Sequence, residues 1–253
     1  MACDRPRPVQ QDGLCAECEK RIMLYRIPPE SCERCCSHIP RGKACPFCSS
    51  GYADGLDKLY TPLRYRAEVR RVIHLLKFGH EKMAAEFLGP LMANVLKDRD
   101  FNCIVPVPLY RTRQRERGYN QSALLAAEVS RETKIPVRED LLFRVKATKA
   151  QSGLARGMRG ANVENAFMAE EGAKGLNILL LDDVRTSGST ARACAAVLRE
   201  KGARVSLLTA AGVWCFAENE KPQKKKQAVK PVHTGDTAQS GGLPEPDSED
   251  AED

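Results

Sequence analysis

Apolar residues recur at helical spacing in several parts of the chain. From Leu56 onward, Val69, Ile73 and Leu76 lie three to four positions apart among mostly charged neighbours, which predicts an amphipathic helix. Gly79 is expected to end this helix. Further helices are predicted over residues 81–96, 121–132 and 190–201.

Short apolar runs alternate with these helices. The runs cover residues 103–107, 177–181 and 204–210, and they are too short and too apolar for surface helices, so each predicts a buried strand. Strands that alternate with helices indicate a parallel sheet. We therefore predict an α/β domain over residues 56–216.

The two ends of the chain have a different composition. Residues 1–55 are rich in Cys, Pro, Gly and Arg and show little apolar periodicity, so we expect them to form a small module stabilised by a metal ion. Residues 217–253 contain almost no large apolar side chains, and we predict a disordered tail.

Charge is unevenly distributed along the 253 residues. The net charge is +7, but residues 217–253 hold five lysines and nine acidic residues, a net −4, which leaves +11 on the rest. A basic folded part favours partners that are rich in phosphate. No apolar run approaches the ~18–20 residues of a membrane span, and the first residues are too polar for a signal peptide. We expect a cytoplasmic protein.

Seven of the eleven cysteines fall within residues 15–48, and six of them form three Cys-x2-Cys pairs, with Cys36 beside the second pair. Two such pairs complete a tetrahedral zinc site, and paired spacing in a reducing compartment favours a metal over disulfides. The preferred set comprises Cys32, Cys35, Cys45 and Cys48. The alternative set comprises Cys15, Cys18, Cys32 and Cys35, and a second zinc could use Cys3, Cys15, Cys18 and Cys36. Cys103 and Cys194 are expected to be core residues.

The run Ile178 to Leu181 leads into a segment of the type that binds phosphate. Two carboxylates follow it, Asp182 and Asp183, and a loop rich in hydroxyls then precedes a helix. In open α/β sheets, ligands bind at this edge, where the free N–H groups of a helix suit phosphate. The loop residues are Thr186, Ser187, Gly188, Ser189 and Thr190. Neither a Walker A loop nor a Gly-x-Gly-x-x-Gly motif is present.

This segment resembles the 5-phosphoribosyl-pyrophosphate (PRPP) signature of type I phosphoribosyltransferases. The resemblance implies that Asp182 and Asp183 contact the ribose hydroxyls and that residues 186–190 hold the 5′-phosphate. Mg²⁺ would accompany the pyrophosphate.

A second polar segment follows the predicted strand 103–107. Four arginines lie within seven residues there, a density that favours an anion nearby: Arg111, Arg113, Arg115 and Arg117. With Leu75 to Phe78, Pro106 to Leu109, Arg117 to Gln121 and Gln151 to Phe167, the chain is similar to the ComF family of bacterial competence-associated proteins.

The resemblance to the ComF family implies a type I phosphoribosyltransferase-like sheet after a zinc-binding segment. It further implies a role in handling single-stranded DNA during natural transformation, beside a helicase-like competence protein. Lys77 joins the four arginines as an expected contact for pyrophosphate or DNA.

Our leading hypothesis is a phosphoribosyltransferase-type protein that binds PRPP and serves DNA uptake. In catalysis, a nitrogen nucleophile would attack C1 of PRPP as pyrophosphate leaves; no residue stands out as the general base. The alternatives are a single-stranded DNA-binding protein without turnover and a PRPP-sensing regulator.

Overall fold

The structure is a computed structural model of the whole chain. It describes residues 14–37, 39, 44–49, 51, 53–78, 82–96, 100–146 and 165–213. The predicted tail, Cys3, Gly79 and most of the stretch Gln151 to Phe167 lie outside these ranges, and the predicted domain limits stay predictions.

Helices and strands alternate through most of the described chain. The helices are α1 (Ala16–Met23), α2 (Pro46–Ser49), α3 (Ala67–Phe78), α4 (Met83–Asn94), α5 (Arg111–Arg117), α6 (Gln121–Thr133) and α7 (Ser189–Glu200). The strands are β1 (Leu59–Tyr60), β2 (Leu63–Arg64), β3 (Cys103–Pro106), β4 (Leu142–Arg144), β5 (Phe167–Ala169), β6 (Asn177–Arg185) and β7 (Arg204–Gly212). In the part of the chain that the structure describes, every helix is too short to cross a bilayer.

The main sheet is parallel throughout. Its order is β1-β7-β6-β3, and β2 pairs with β7 further along the same edge. β4 and β5 form a separate antiparallel pair. The predicted fold class is therefore confirmed: a parallel α/β sheet flanked by helices, with a cysteine module before it.

β6 lies at the centre of the sheet and separates two apolar layers. Leu179 and Leu181 belong to the layer that includes α3, α4 and α6, whereas Ile178 and Leu180 belong to the layer that includes α7. This division follows from the alternation of side chains along a strand. All four residues have no exposed surface, which is why their run is uniformly apolar.

The N-terminal segment packs on the sheet domain. Cys18 and Ile22 of α1 are buried in the same layer as α3, and Arg21 forms an ion pair of 2.7 Å with Glu68. The backbone N–H of Arg64 donates to the Tyr25 carbonyl at 2.7 Å, and the N–H of Leu59 donates to the Arg34 carbonyl at 2.8 Å. The cysteine module is thus attached to β1 and β2.

Candidate functional site

The loop after β6 forms a small concavity at the carboxyl end of the sheet. Gly188 adopts a left-handed conformation (φ 74°), which a residue with a side chain rarely takes, and α7 begins at the next residue. The Ser187 and Ser189 hydroxyls lie 3.0 Å apart, and Arg192 donates to the Ser187 carbonyl at 3.0 Å. The concavity is lined by Asp182, Val184, Arg185, Thr186, Ser187, Gly188, Ser189, Thr190, Ala191, Leu207 and Thr209.

Asp182 lines this concavity and is half-buried. Its Oδ1 accepts from the Ser122 hydroxyl at 3.1 Å and from the backbone N–H of Asp183 at 2.8 Å. Burial, reinforced by the Asp183 charge, raises the pKa of Asp182 to about 7. The carboxyl therefore accepts hydrogen bonds from its own protein while it is poised to exchange a proton near neutral pH.

Asp183 has a different environment, although it is the next residue. Its side chain is only 5% exposed, and Oδ2 lies 2.7 Å from the Lys77 ammonium. Burial alone would lower the pKa of Lys77, but the Asp183 carboxylate outweighs it and raises that pKa above its ordinary value. The ion pair joins the end of α3 to the end of β6.

The segment around Tyr119 connects α3, β3 and β6. The Tyr119 hydroxyl donates to the Leu76 carbonyl at 2.6 Å, and the Asn120 amide donates to the Val107 carbonyl at 3.1 Å. Asn120 also caps α6 by accepting from the Ser122 N–H at 3.0 Å. The segments that carry the family resemblance, 75–78, 106–109 and 117–121, therefore meet beside the two aspartates.

The four arginines of the second polar segment fall into two groups. Arg111, Arg113 and Arg115 are exposed on α5, whereas Arg117 is buried. The Arg117 guanidinium donates to the Gln121 amide oxygen and lies 5.2 Å from the Phe78 ring centroid. Arg117 and Lys77 thus contact other protein groups, and three arginines remain on the surface.

A larger groove of about 680 Å³ lies beside α5. Aromatic and apolar side chains line it together with arginines and two carboxylates: Pro108, Leu109, Tyr110, Arg111, Gln114, Asn120, Glu139, Leu142, Phe143, Arg144, Val145, Met168 and Glu170. Three of these side chains are large, apolar and exposed, namely Phe143, Val145 and Met168. The volume is that of a typical ligand pocket.

Four cysteines form a cluster in the module that is attached to β1: Cys32, Cys35, Cys45 and Cys48. All four Sγ atoms lie within 4.8 Å of one another, with 3.7 Å between Cys32 and Cys48 and 3.5 Å between Cys35 and Cys45. Ligands at ~2.3 Å from a tetrahedral zinc would stand about 3.8 Å apart, so the group could hold a metal ion. Burial raises the pKa of Cys35 to about 11, so the thiolate form requires a nearby cation.

The remaining described cysteines lie elsewhere. Cys15 and Cys18 are buried in the α3 layer, and the Cys36 thiol donates to the Leu59 carbonyl at 3.1 Å. Among residues whose positions are described, the four clustered cysteines are the one group of three or more ligating side chains. Cys103 and Cys194 are buried in the α7 layer.

Proteins with related sequences bear on this arrangement. DNA utilization protein YhgH of Escherichia coli is 30% identical over 226 residues, which cover 85% of this chain and 94% of that protein. Competence protein F of Haemophilus influenzae is 30% identical over 205 residues, covering 77% of this chain and 87% of its own. The chain belongs to the ComF family. Competence protein ComFC of Bacillus subtilis is 35% identical over 115 residues, 46% of this chain and 45% of that one.

Other comparisons add less to the ComF assignment. No family model matches the chain. A solved structure of the Bacillus subtilis glutamine PRPP amidotransferase with ADP and GMP has 21% sequence identity and covers 52% of this chain and 26% of its own. Its TM-score of 0.37 is too low to establish a shared fold.

Three residues of this ComF-family site were not predicted from the sequence. Ser122 contacts Asp182, Arg192 contacts the Ser187 carbonyl, and Arg185 is 3% exposed within the last residues of β6. Arg185 carried a usable signal, because a charged residue two positions after a carboxylate pair at the end of an apolar run is expected to have a partner. Ser122 and Arg192 lie in helices whose sequences give no such signal.

Proposed function

We propose that this ComF-family chain binds PRPP at the loop after β6 and that it is a phosphoribosyltransferase-type protein of DNA uptake. One observation carries the proposal: Asp182 and the loop 186–190 line the same concavity. A carboxylate matches ribose hydroxyls, and N–H and O–H groups at the start of a helix match a phosphate. The names of the E. coli and H. influenzae relatives support the link to DNA.

Two metals accompany this function. The spacing of the four clustered thiols supports a structural zinc, which would hold the cysteine module against β1. Mg²⁺ is expected on the pyrophosphate of PRPP, as the fold-family resemblance implies, and no cluster of carboxylates in the described chain is assigned to it.

Calorimetry with PRPP and Mg²⁺ tests the binding site. We expect the Ser187→Ala, Thr190→Ala double variant to bind about tenfold more weakly, because two donors to the phosphate are lost. Thr112→Ala, which removes an exposed hydroxyl from α5, is the control and should bind like the unaltered protein. Equal affinity of all three proteins would contradict the assignment. Pyrophosphate release in the presence of different nucleobases then distinguishes turnover from binding or sensing.

A second function, binding of single-stranded DNA, is favoured by the groove beside α5. Proteins that bind single strands combine a positive surface with aromatic platforms for the bases. The groove offers Tyr110 and Phe143 as platforms, and Arg111 lies at its edge with Arg113 and Arg115 on the same short helix. Glu139 and Glu170 also line it and would repel phosphates, so only part of the groove suits the backbone.

A further inference from the structure

The Arg185 side chain connects the cysteine cluster to the phosphate loop. Its guanidinium Nη2 donates to the Cys35 carbonyl at 3.2 Å, and the residue is 3% exposed. Arg185 is the last residue of β6, and Thr186, the first residue of the loop, follows it directly. One side chain therefore spans from a cysteine of the cluster to the loop that lines the concavity.

The position of Arg185 is fixed by β7. Its backbone pairs with Gly212, and its carbonyl accepts from the Val213 N–H at 2.9 Å. Gly212 also leaves space for the guanidinium, because a Cβ there would lie 3.0 Å from Nη2 and 3.3 Å from Cγ2 of Thr61. A side chain at residue 212 would thus crowd the guanidinium that contacts Cys35.

Cys35 is the residue through which metal would act on Arg185. The turn around it is closed by hydrogen bonds from the Cys36 N–H to the Cys32 carbonyl at 2.8 Å and from the Cys32 N–H to the Ser37 carbonyl at 2.9 Å. A metal on the thiolates of Cys32 and Cys35 would fix this turn and therefore the carbonyl that Arg185 contacts. Without metal, the thiol contacts of this turn are those of Cys32 with Cys48 at 3.7 Å and of Cys35 with Cys45 at 3.5 Å, which are weaker than bonds to a metal.

We propose that Arg185 is a positioning residue that links metal occupancy of the cysteine cluster to the order of the phosphate loop. Metal bound by the four thiols would fix the position of the Cys35 carbonyl. This carbonyl would then keep its hydrogen bond from the Arg185 guanidinium, which would fix the start of the loop. The ligand of the loop rests on the proposed function, but the link itself does not. Linkage is reciprocal, so an anion in the loop also tightens metal binding.

Two measurements on the full-length protein test the link. The first is amide hydrogen exchange of peptides covering residues 186–190, with zinc bound and after chelation, relative to a peptide from α6. We expect chelation to accelerate exchange in the loop about tenfold more than in α6. In Arg185→Gln, the loop should exchange fast in both states, so the effect of zinc there disappears.

The second measurement is the rate at which zinc-loaded protein loses its metal to a chromogenic chelator. Arg185→Gln should release zinc several times faster. Arg192→Gln is the matched control, because Arg192 also contacts the loop, where it donates to the Ser187 carbonyl rather than to a cysteine of the cluster. It should disturb the loop but change zinc release much less than Arg185→Gln does, because the Cys35 carbonyl keeps its donor. Gly212→Ala keeps every charge and crowds the guanidinium, and it should accelerate both loop exchange and zinc release.

The outcomes separate this inference from the proposed function. Equal zinc release by Arg185→Gln and Arg192→Gln, or loop exchange that is indifferent to zinc in the unaltered protein, would overturn the link. Should Arg185→Gln fail to fold, Gly212→Ala carries the same two measurements. Absence of PRPP binding by an unaltered protein whose loop responds to zinc would refute the proposed ligand and leave the link established.

Discussion

The Lys77 ammonium lies 2.7 Å from the Asp183 carboxylate, at a place where the carboxylate is 5% exposed. Two oppositely charged groups that are removed from water depend strongly on each other, because either one alone would be a buried charge without a counter-ion. Their pairing fixes the end of α3 against the end of β6, directly beside the concavity.

We expect Asp183→Asn to lower the free energy of unfolding by about 2–4 kcal/mol, since it leaves Lys77 partly buried without a counter-ion. Urea unfolding followed by circular dichroism measures the change. The control is Asp140→Asn: Asp140 has an ion pair of the same 2.7 Å length, with Arg138, but both side chains are exposed. Exposed pairs contribute little, so its unfolding midpoint should not move. Equal changes in the free energy of unfolding for the two variants would show that burial of the Lys77–Asp183 pair does not contribute to stability.

Asp182→Asn should have the opposite effect on stability. The raised pKa of Asp182, about 7, exceeds the pKa of the same carboxyl in the unfolded chain. The contribution of this proton to folding stability is therefore fully present below about pH 4 and is lost as pH rises through about 7. Asparagine keeps the Oδ1 acceptor for Ser122 and cannot ionise. We expect the variant to gain about 2 kcal/mol at pH 8 and almost nothing at pH 4.

Unfolding of Asp182→Asn and the unaltered protein across pH 4–8 gives this difference directly. PRPP binding should fall in the same variant, because a neutral amide is a weaker acceptor for ribose hydroxyls. A variant that is stabilised only at low pH would show that the sign of the pKa shift is wrong.

Metal analysis of protein purified without added metal should find about one zinc per chain. Cys35→Ser should lose this zinc, and Cys18→Ser should retain it, because Cys18 is buried in α1 within the other apolar layer. Zinc loss from both variants, with retention in Cys48→Ser, would instead favour the alternative site of Cys15, Cys18, Cys32 and Cys35.

Replacement of Arg111, Arg113 and Arg115 by Gln should weaken binding of single-stranded DNA for every sequence. Loss of three phosphate contacts should reduce the slope of log K against log salt by about 2. The matched control replaces three exposed arginines elsewhere, Arg131, Arg199 and Arg204, and so removes the same charge. Fluorescence anisotropy with a labelled oligonucleotide compares the two. Equal losses in both triple variants would point to net charge rather than a site on α5.

The periodicity of the chain predicted the sheet domain well because its signals are local. The helix predicted around Val69 to Leu76 is α3, and the run Ile178 to Leu181 lies in the central strand, with both neighbours parallel to it. Apolar periodicity depends only on burial of one or two faces, which the sequence records directly.

The features of the fold and of the site that were not predicted depend on contacts between distant segments. β6 continues through Asp182 to Arg185, which the polar composition concealed, because β7 pairs with it up to Gly212. β1 and β2 are two residues each and have no pattern of their own. The separation of Arg117 from the exposed arginines likewise follows from packing on Phe78.

The position of β1 and β2 has a consequence for solubility. β7 spans nine apolar-rich residues, and β1 and β2 cover its outer edge with only four strand residues, which the cysteine module secures at Leu59. A long bare strand edge offers a template for a strand from another molecule. Removal of the metal would therefore expose the outer edge of β7 to strands from other molecules. We expect the apoprotein to aggregate by self-association through this edge.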